Sequence, residues 1–355
     1  MRFRTWMGLL IRNRFRITPW RWAMCVVITL TSLGNSALHF LHALIFNRRL
    51  ARTKLAGDPI FIIGHWRSGT TYLHELLVRD DRFAFPTTFE CFMPQHTLLT
   101  EWFVVRFLKF LLPAQRPMDD MAAGWDRPQE DEFALCNLGV GSPYTTMAFP
   151  NEPPQGQEFL ELEQVTPAQL QRWKRSLHWF LQLITYRSGG KRIILKSPTH
   201  TARVKVLLEM FPQAKFVHIV RDPHAIFPST VRLWKSLYRA QACQTANFQG
   251  LEEYVFECFE RMYRQFDAQR ELIPAGHLYE VRYEDLVREP AGQLQAIYEQ
   301  LELGDFEQVR PAMEQYLSGT KDYKPNRHVL APKIREQIER RWGGYLQRYG
   351  YRADS

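Results

Sequence analysis

The apolar run Ile60–Ile63 opens directly into Gly64-His65-Trp66-Arg67-Ser68-Gly69-Thr70-Thr71, and Thr71–Arg79 then sets Leu73, Leu76 and Leu77 at helical spacing. A strand, a two-glycine loop and a helix in that order leave little choice of fold. The loop puts backbone N–H groups and a helix amino terminus where they can cradle an anion. An ordinary turn with incidental glycines would not account for Arg67, Ser68, Thr70 and Thr71 standing together. The loop departs from the nucleotide-hydrolase pattern at one place. Thr70 stands where a lysine is needed, and the loop's only cation, Arg67, precedes the second glycine. No strand ends in an acid suited to magnesium, so a metal-bound triphosphate is poorly provided for and no metal is expected.

Further strands follow the same rhythm. Ile193–Leu195 leads to Lys196-Ser197-Pro198 and a helix through Val204, Leu207 and Leu208. Phe216–Val220 leads to Arg221-Asp222-Pro223, where Asp222 can cap a helix and Pro223 suits its first turn. His277–Val281 precedes Tyr283-Glu284-Asp285-Leu286. Strands each followed by a helix predict an α/β fold, a P-loop-like parallel sheet with helices on both faces and ligands at the carboxyl ends of the strands. Phe83 to Gly190 breaks the alternation and reads as an insertion of helices and loops that shapes an acceptor pocket. Its aromatic residues Phe85, Phe89, Phe92, Trp102, Phe103, Phe107 and Phe110 suit a lipid pocket or a plain core equally well. Glu130-Asp131-Glu132 reads as the solvated start of a helix.

Arg67-Ser68-Gly69-Thr70-Thr71 resembles the 5′-phosphosulfate loop of sulfotransferases that use 3′-phosphoadenosine-5′-phosphosulfate (PAPS). Arg221-Asp222-Pro223 with Ser229 resembles their 3′-phosphate motif, and Tyr283-Glu284-Asp285-Leu286 resembles a later core segment. The motifs keep the family's order from about residue 59 to the carboxyl end. The resemblance implies a sulfotransferase fold and transfer of a sulfuryl group from PAPS to a hydroxyl or amine of a small-molecule, lipid or glycan acceptor. Physical chemistry agrees: a donor with two separated anionic groups needs one cradle and a second Arg/Ser site, and a guanidinium can bind phosphate as a fork. By resemblance, Lys324 is a late clamp on the donor and Arg67 contacts the transferring group; Lys196, at the end of the next strand, can reach the same oxygens or instead pair with an acid. The histidine that follows the strand-end lysine in the cytosolic branch is absent here. In the tyrosylprotein and heparan branches a glutamate after the loop helix is the base, and Glu90 occupies that place. Apolar neighbours would raise its pKa usefully. His96 and His200 are the reserve candidates.

Charge separates the chain into two parts. Of 355 residues carrying a net +9, residues 1–57 hold nine arginines, Lys54 and no acid, leaving 36 basic and 37 acidic residues elsewhere. A nucleic-acid groove across the main body is therefore not expected. Trp22 to Phe46 is 25 residues without formal charge, long enough to span a bilayer. Yet Ser32, Asn35, His39 and His42 form a polar stripe, with Val26, Leu30, Leu33, Ala37, Leu41 and Leu44 opposite. Basic flanks on both sides suit an interfacial helix, and packing on the parent domain or on a dimer partner is the competing reading. The expected organisation is a basic amphipathic segment, 1–57, and a catalytic domain, 58–355. Cys25, Cys91, Cys136, Cys243 and Cys258 lack paired spacing, which predicts free thiols and a cytoplasmic protein, and in the interfacial reading of residues 1–57 that protein is peripheral on the cytoplasmic face of a membrane.

Two other functions remain open on sequence alone. A P-loop small-molecule kinase would need a lysine where Thr70 stands. A non-catalytic nucleotide-binding protein at a membrane would lack an effective base, which makes Glu90 the discriminating residue.

Overall fold

The computed structural model describes residues 1–108, 124–319 and 330–351. Five strands, β1 (Ile60–Ile63), β2 (Phe83–Ala84), β3 (Arg192–Lys196), β4 (Lys215–Val220) and β5 (Leu278–Arg282), form one sheet in the order β2-β3-β1-β4-β5. β1 is flanked by two parallel partners, with Ile60 opposite Ile194 on β3 and Lys215 on β4, and β4 runs parallel to β5. All four residues of β1 are buried, as a strand covered on both faces requires. The sheet is the expected α/β arrangement, and the strands fall within a residue or two of the sequence reading. β2 was not foreseen, because two residues are too short to show a period.

The chain divides into two compact units. One comprises 57–83, 194–232 and 250–355. On one side of the sheet Ile60, Ile62, Val217, Ile219 and Val281 pack with Leu73, Leu76, Leu77, Leu294 and Ile297 from the following helices. On the other, Phe61 stacks on Phe216 at 5.5 Å and His218 lies 4.3 Å from Phe266 of the Leu251–Gln269 helix.

The other unit comprises 1–56, 84–193 and 233–249. Its first helices, Phe3–Arg12 and Trp22–Leu50, contribute Trp6, Leu9, Leu10 and Cys25 to a small core with Phe149 and Cys243. The helices Thr88–Phe92 and Pro167–Arg187 both start in a capping box, from Thr87 and Thr166, with Pro167 at the first position of the second. Here the structure corrects the acidic run. Glu130 flanks the start of the Asp131–Asn137 helix, and all three acids are buried rather than solvated. Tyr144 donates its hydroxyl to Glu130 and Ser142 donates to Glu132 at 2.6 Å, so buried partners replace the water that charge alone would call for. The aromatic residues of this stretch part company as well: Phe89 is buried 5.8 Å from Trp125, whereas Trp102, Phe103 and Phe107 are exposed. Phe110 lies outside the described residues.

Candidate active site

Four strand ends deliver the polar residues. The loop after β1 is held from below, where the Gly64 amide donates to Thr201 Oγ1 at 2.7 Å, and Ser68 Oγ donates to the His65 carbonyl at 2.8 Å. Arg67 takes a left-handed conformation with φ +68°, which is uncommon for a residue with a side chain and turns it at the apex of the loop. Gly69, at φ +106°, begins the Thr70–Leu77 helix, and a Cβ there would come within 2.4 Å of the Tyr283 ring. Only glycine allows that approach.

Arg67, Ser229 and Arg221 are brought together. Arg67 Nε donates to Ser229 Oγ at 2.9 Å, and Arg221 Nη1 donates to the Arg67 carbonyl at 3.0 Å. The Arg221 guanidinium also lies over the Tyr283 ring at 4.2 Å, so Tyr283 touches both the loop glycine and the second arginine. Lys196 ends β3, beside Ile62 of β1, and is almost wholly buried, its ammonium 3.5 Å from Thr71 Oγ1. Asp222 caps the Pro223–Gln241 helix by accepting from the His224 amide at 2.9 Å, and Ser229 stands on that helix. Sequence reasoning missed Tyr345, whose hydroxyl bonds both the amide and the carbonyl of Arg221 at 3.1 and 3.2 Å. No local signal marks it, since 124 residues separate the partners. Lys324 lies outside the described residues. Among the described residues no group of His, Cys, Asp and Glu could hold a metal ion.

Glu90 belongs to the other compact unit and is completely buried there. Its Oε2 accepts from the Thr87 amide at 2.7 Å to close the capping box, and Oε1 lies 2.5 Å from Arg187 Nε. Arg187 also reaches Glu101 at 3.3 Å. Burial pushes the Glu90 carboxyl above its ordinary range, and the Arg187 charge and the Thr87 amide only partly oppose it. His96 is committed to Thr100 and Asn35, and burial takes its pKa down to about 4. His200 is buried on the sheet face, edge-on to Phe61 at 5.4 Å.

The loop histidine makes the site sensitive to acid. His65 is fully buried against Phe259, with Nδ1 2.9 Å from the Trp66 carbonyl, and burial lowers its pKa from 6.5 to about 3. Between those values the unfolded chain binds the proton and the folded chain does not, so stability present near neutrality is lost as pH falls from about 6.5. At about pH 5 the loss from this residue is expected to be about 2 kcal/mol. Urea unfolding near neutrality and near pH 5 checks it: His65→Gln should show a pH dependence smaller by that amount.

The parallel sheet, the phosphate-type loop after β1 and a second arginine just past β4 are the arrangement expected of a sulfotransferase. Residues 59–308 match the model described as the sulfotransferase family, and the chain belongs to that family and is an enzyme of sulfuryl transfer. It is 50% identical over 349 residues, 98% of this chain and 89% of the relative, to the omega-hydroxy-beta-dihydromenaquinone-9 sulfotransferase Stf3 of Mycobacterium bovis. The Mycobacterium tuberculosis protein of the same name matches to the same extent. Among solved structures, the sulfotransferase STF9 from Mycobacterium avium superposes with a TM-score of 0.73 at 17% identity, covering 93% of this chain and 86% of that one. STF1 from Mycobacterium tuberculosis gives 0.65 at 19% identity, covering 96% and 92%. These two likenesses establish the fold.

Proposed function

We propose that the chain moves the sulfuryl group of PAPS to a lipid hydroxyl, the terminal hydroxyl of an isoprenoid quinone being the foremost acceptor. The observation that carries the donor half is the meeting of Arg67, Ser229 and Arg221 at the ends of β1 and β4. With Lys196 at the end of β3, three cations surround one loop of backbone amides, a donor set that suits an anionic ligand with two phosphate-like ends. Bound there, PAPS supplies an activated sulfuryl group. The acceptor oxygen forms a bond to sulfur as the sulfur–oxygen bond to the 5′-phosphate breaks, and that phosphate keeps the electron pair. In this reading Arg67 and Lys196 offset the charge that gathers on the phosphate and sulfonate oxygens. Ser68, Thr70 and Thr71 orient the 5′ end, Arg221 and Ser229 hold the 3′-phosphate, and Tyr283 keeps Arg221 in place.

The acceptor half rests on the relative, whose name specifies a hydroxylated menaquinone, and on identity that extends over nearly the whole chain. Glu90 is the proposed base, its raised pKa being the property that supports the role. Its burial and its capping bond favour a second reading, in which the carboxylate only locks the Thr88–Phe92 helix and Arg187.

Calorimetric titration with adenosine 3′,5′-bisphosphate, without divalent metal, tests the donor site. Arg221→Ala is expected to weaken that binding by about 1.5–3 kcal/mol for each charge-assisted hydrogen bond lost. Equal or tighter binding of Mg-ATP by the parent chain would point to the kinase reading instead. Unchanged affinity in Arg221→Ala would return that residue to a structural role.

A further inference from the structure

The Trp22–Leu50 helix is turned the opposite way from a helix that hides its apolar side in the fold. Its polar stripe faces the protein: Ser32 and His42 are buried, the Trp6 indole donates to Thr29 at 2.9 Å and the Phe3 amide donates to Ser36 at 2.9 Å. Asn35 joins the Met1 carbonyl at 3.3 Å to His96 at 3.1 Å, which ties the helix to the start of Thr97–Phe107. The apolar stripe faces outward, with Leu30 63% and Leu44 68% exposed. The neighbouring Thr97–Phe107 helix adds an exposed aromatic cluster, Trp102 at 67% with Phe103 and Phe107. The segment that carries this helix, residues 1–57, holds nine arginines, Lys54 and no acid, with Arg48 and Arg49 in the helix's last turn. Trp20 and Trp22 are exposed at the amino end of the long helix, and Arg21 lies 3.9 Å over the Trp20 ring.

We propose that this face docks on an anionic lipid bilayer, with the Trp22–Leu50 helix lying in the plane of the membrane rather than crossing it. The helix is long and apolar enough to span, but spanning would strip Thr29, Asn35 and Ser36 of their bonds to Trp6, Met1 and Phe3. Lying flat keeps those bonds and buries the outward apolar stripe at the level of the headgroups and upper acyl chains. Basic residues at both ends of the helix then meet anionic headgroups together, whereas a span would put one basic end on each side. Exposed tryptophan suits that interface. The cytoplasmic leaflet, rich in anionic lipid, is the matching surface. The inference stands on this unit alone and holds whatever the acceptor is.

Sedimentation of the full chain with vesicles tests it, using phosphatidylcholine mixed equally with phosphatidylglycerol against phosphatidylcholine alone. Binding is expected on the anionic vesicles, about tenfold or more weaker on the neutral ones, and reduced by salt. Leu30→Asp with Leu44→Asp should weaken binding by about tenfold or more while leaving the thermal melt unchanged. If that pair does not fold, Trp102→Ser with Phe107→Ser takes its place and is expected to weaken binding in the same direction. Three results would overturn the proposal: no sedimentation of the folded parent chain, undiminished sedimentation of the folded variants, or membrane association released only by detergent, which marks a span. A stable dimer that the Leu30 and Leu44 changes dissociate would instead make the face an interface between copies.

Discussion

Glu90→Gln is expected to retain the fold and the donor affinity while kcat falls by about 10²–10⁴-fold, the usual cost of losing a general base. Glutamine can still close the capping box with Thr87, so the start of the Thr88–Phe92 helix should survive. What it cannot do is take the acceptor's proton at neutral pH. The carboxylate's surroundings make the experiment discriminating. Burial raises its pKa, and Arg187 at 2.5 Å keeps it from being pushed further. Under either reading the variant loses part of its ion pair with Arg187, at a cost of about 1–3 kcal/mol in stability; were Glu90 purely a structural lock, the folded variant would still turn over at a near-normal rate. Loss of turnover in a variant that is still folded and binds the donor normally supports the base. Loss of stability with turnover intact assigns the residue to the Arg187 anchor, and the search for a base moves to His200.

Arg67→Ala carries a different signature. The guanidinium is proposed to contact the donor in the ground state and to offset charge that develops during transfer, so both donor affinity and kcat should fall. About 10²–10³-fold in kcat is the expected range for removing one such group. The change also frees Ser229, whose hydroxyl now accepts from Arg67, and removes the side chain that φ +68° sets at the loop's apex. Arg67→Lys should recover part of the rate through its charge but not the planar fork. Single-turnover kinetics alongside donor titration separate the two losses; a variant with weak binding but normal kcat would confine Arg67 to binding.

What could be read from the sequence was what is local. β1, its loop and the Asp222-Pro223 helix start are short-range patterns in which glycine, proline and apolar runs dictate the backbone; Arg67, Lys196 and Arg221 are visible as candidates because they sit at those punctuation points, whereas Ser229, within the Pro223–Gln241 helix, is visible only through the family motif. The burial of Glu130, Asp131 and Glu132 was not legible, since it depends on Tyr144 and Ser142 arriving from a later turn. Neither was the sense of the Trp22–Leu50 helix. Its two stripes are plain in the sequence, but only the Trp6, Met1 and Phe3 partners decide that the polar one faces inward. Tyr345 is the same case at the site itself, a contact made by topology and marked by no motif.

Incubating the purified chain with radiolabelled PAPS and an ω-hydroxylated isoprenoid quinone in mixed micelles measures the proposed reaction itself. The account predicts label in the extracted lipid, adenosine 3′,5′-bisphosphate released in equal amount, and no transfer to the same quinone lacking its hydroxyl. Intact binding of the donor analogue with no label in any hydroxylated lipid, or label passing only to water-soluble acceptors, would contradict it.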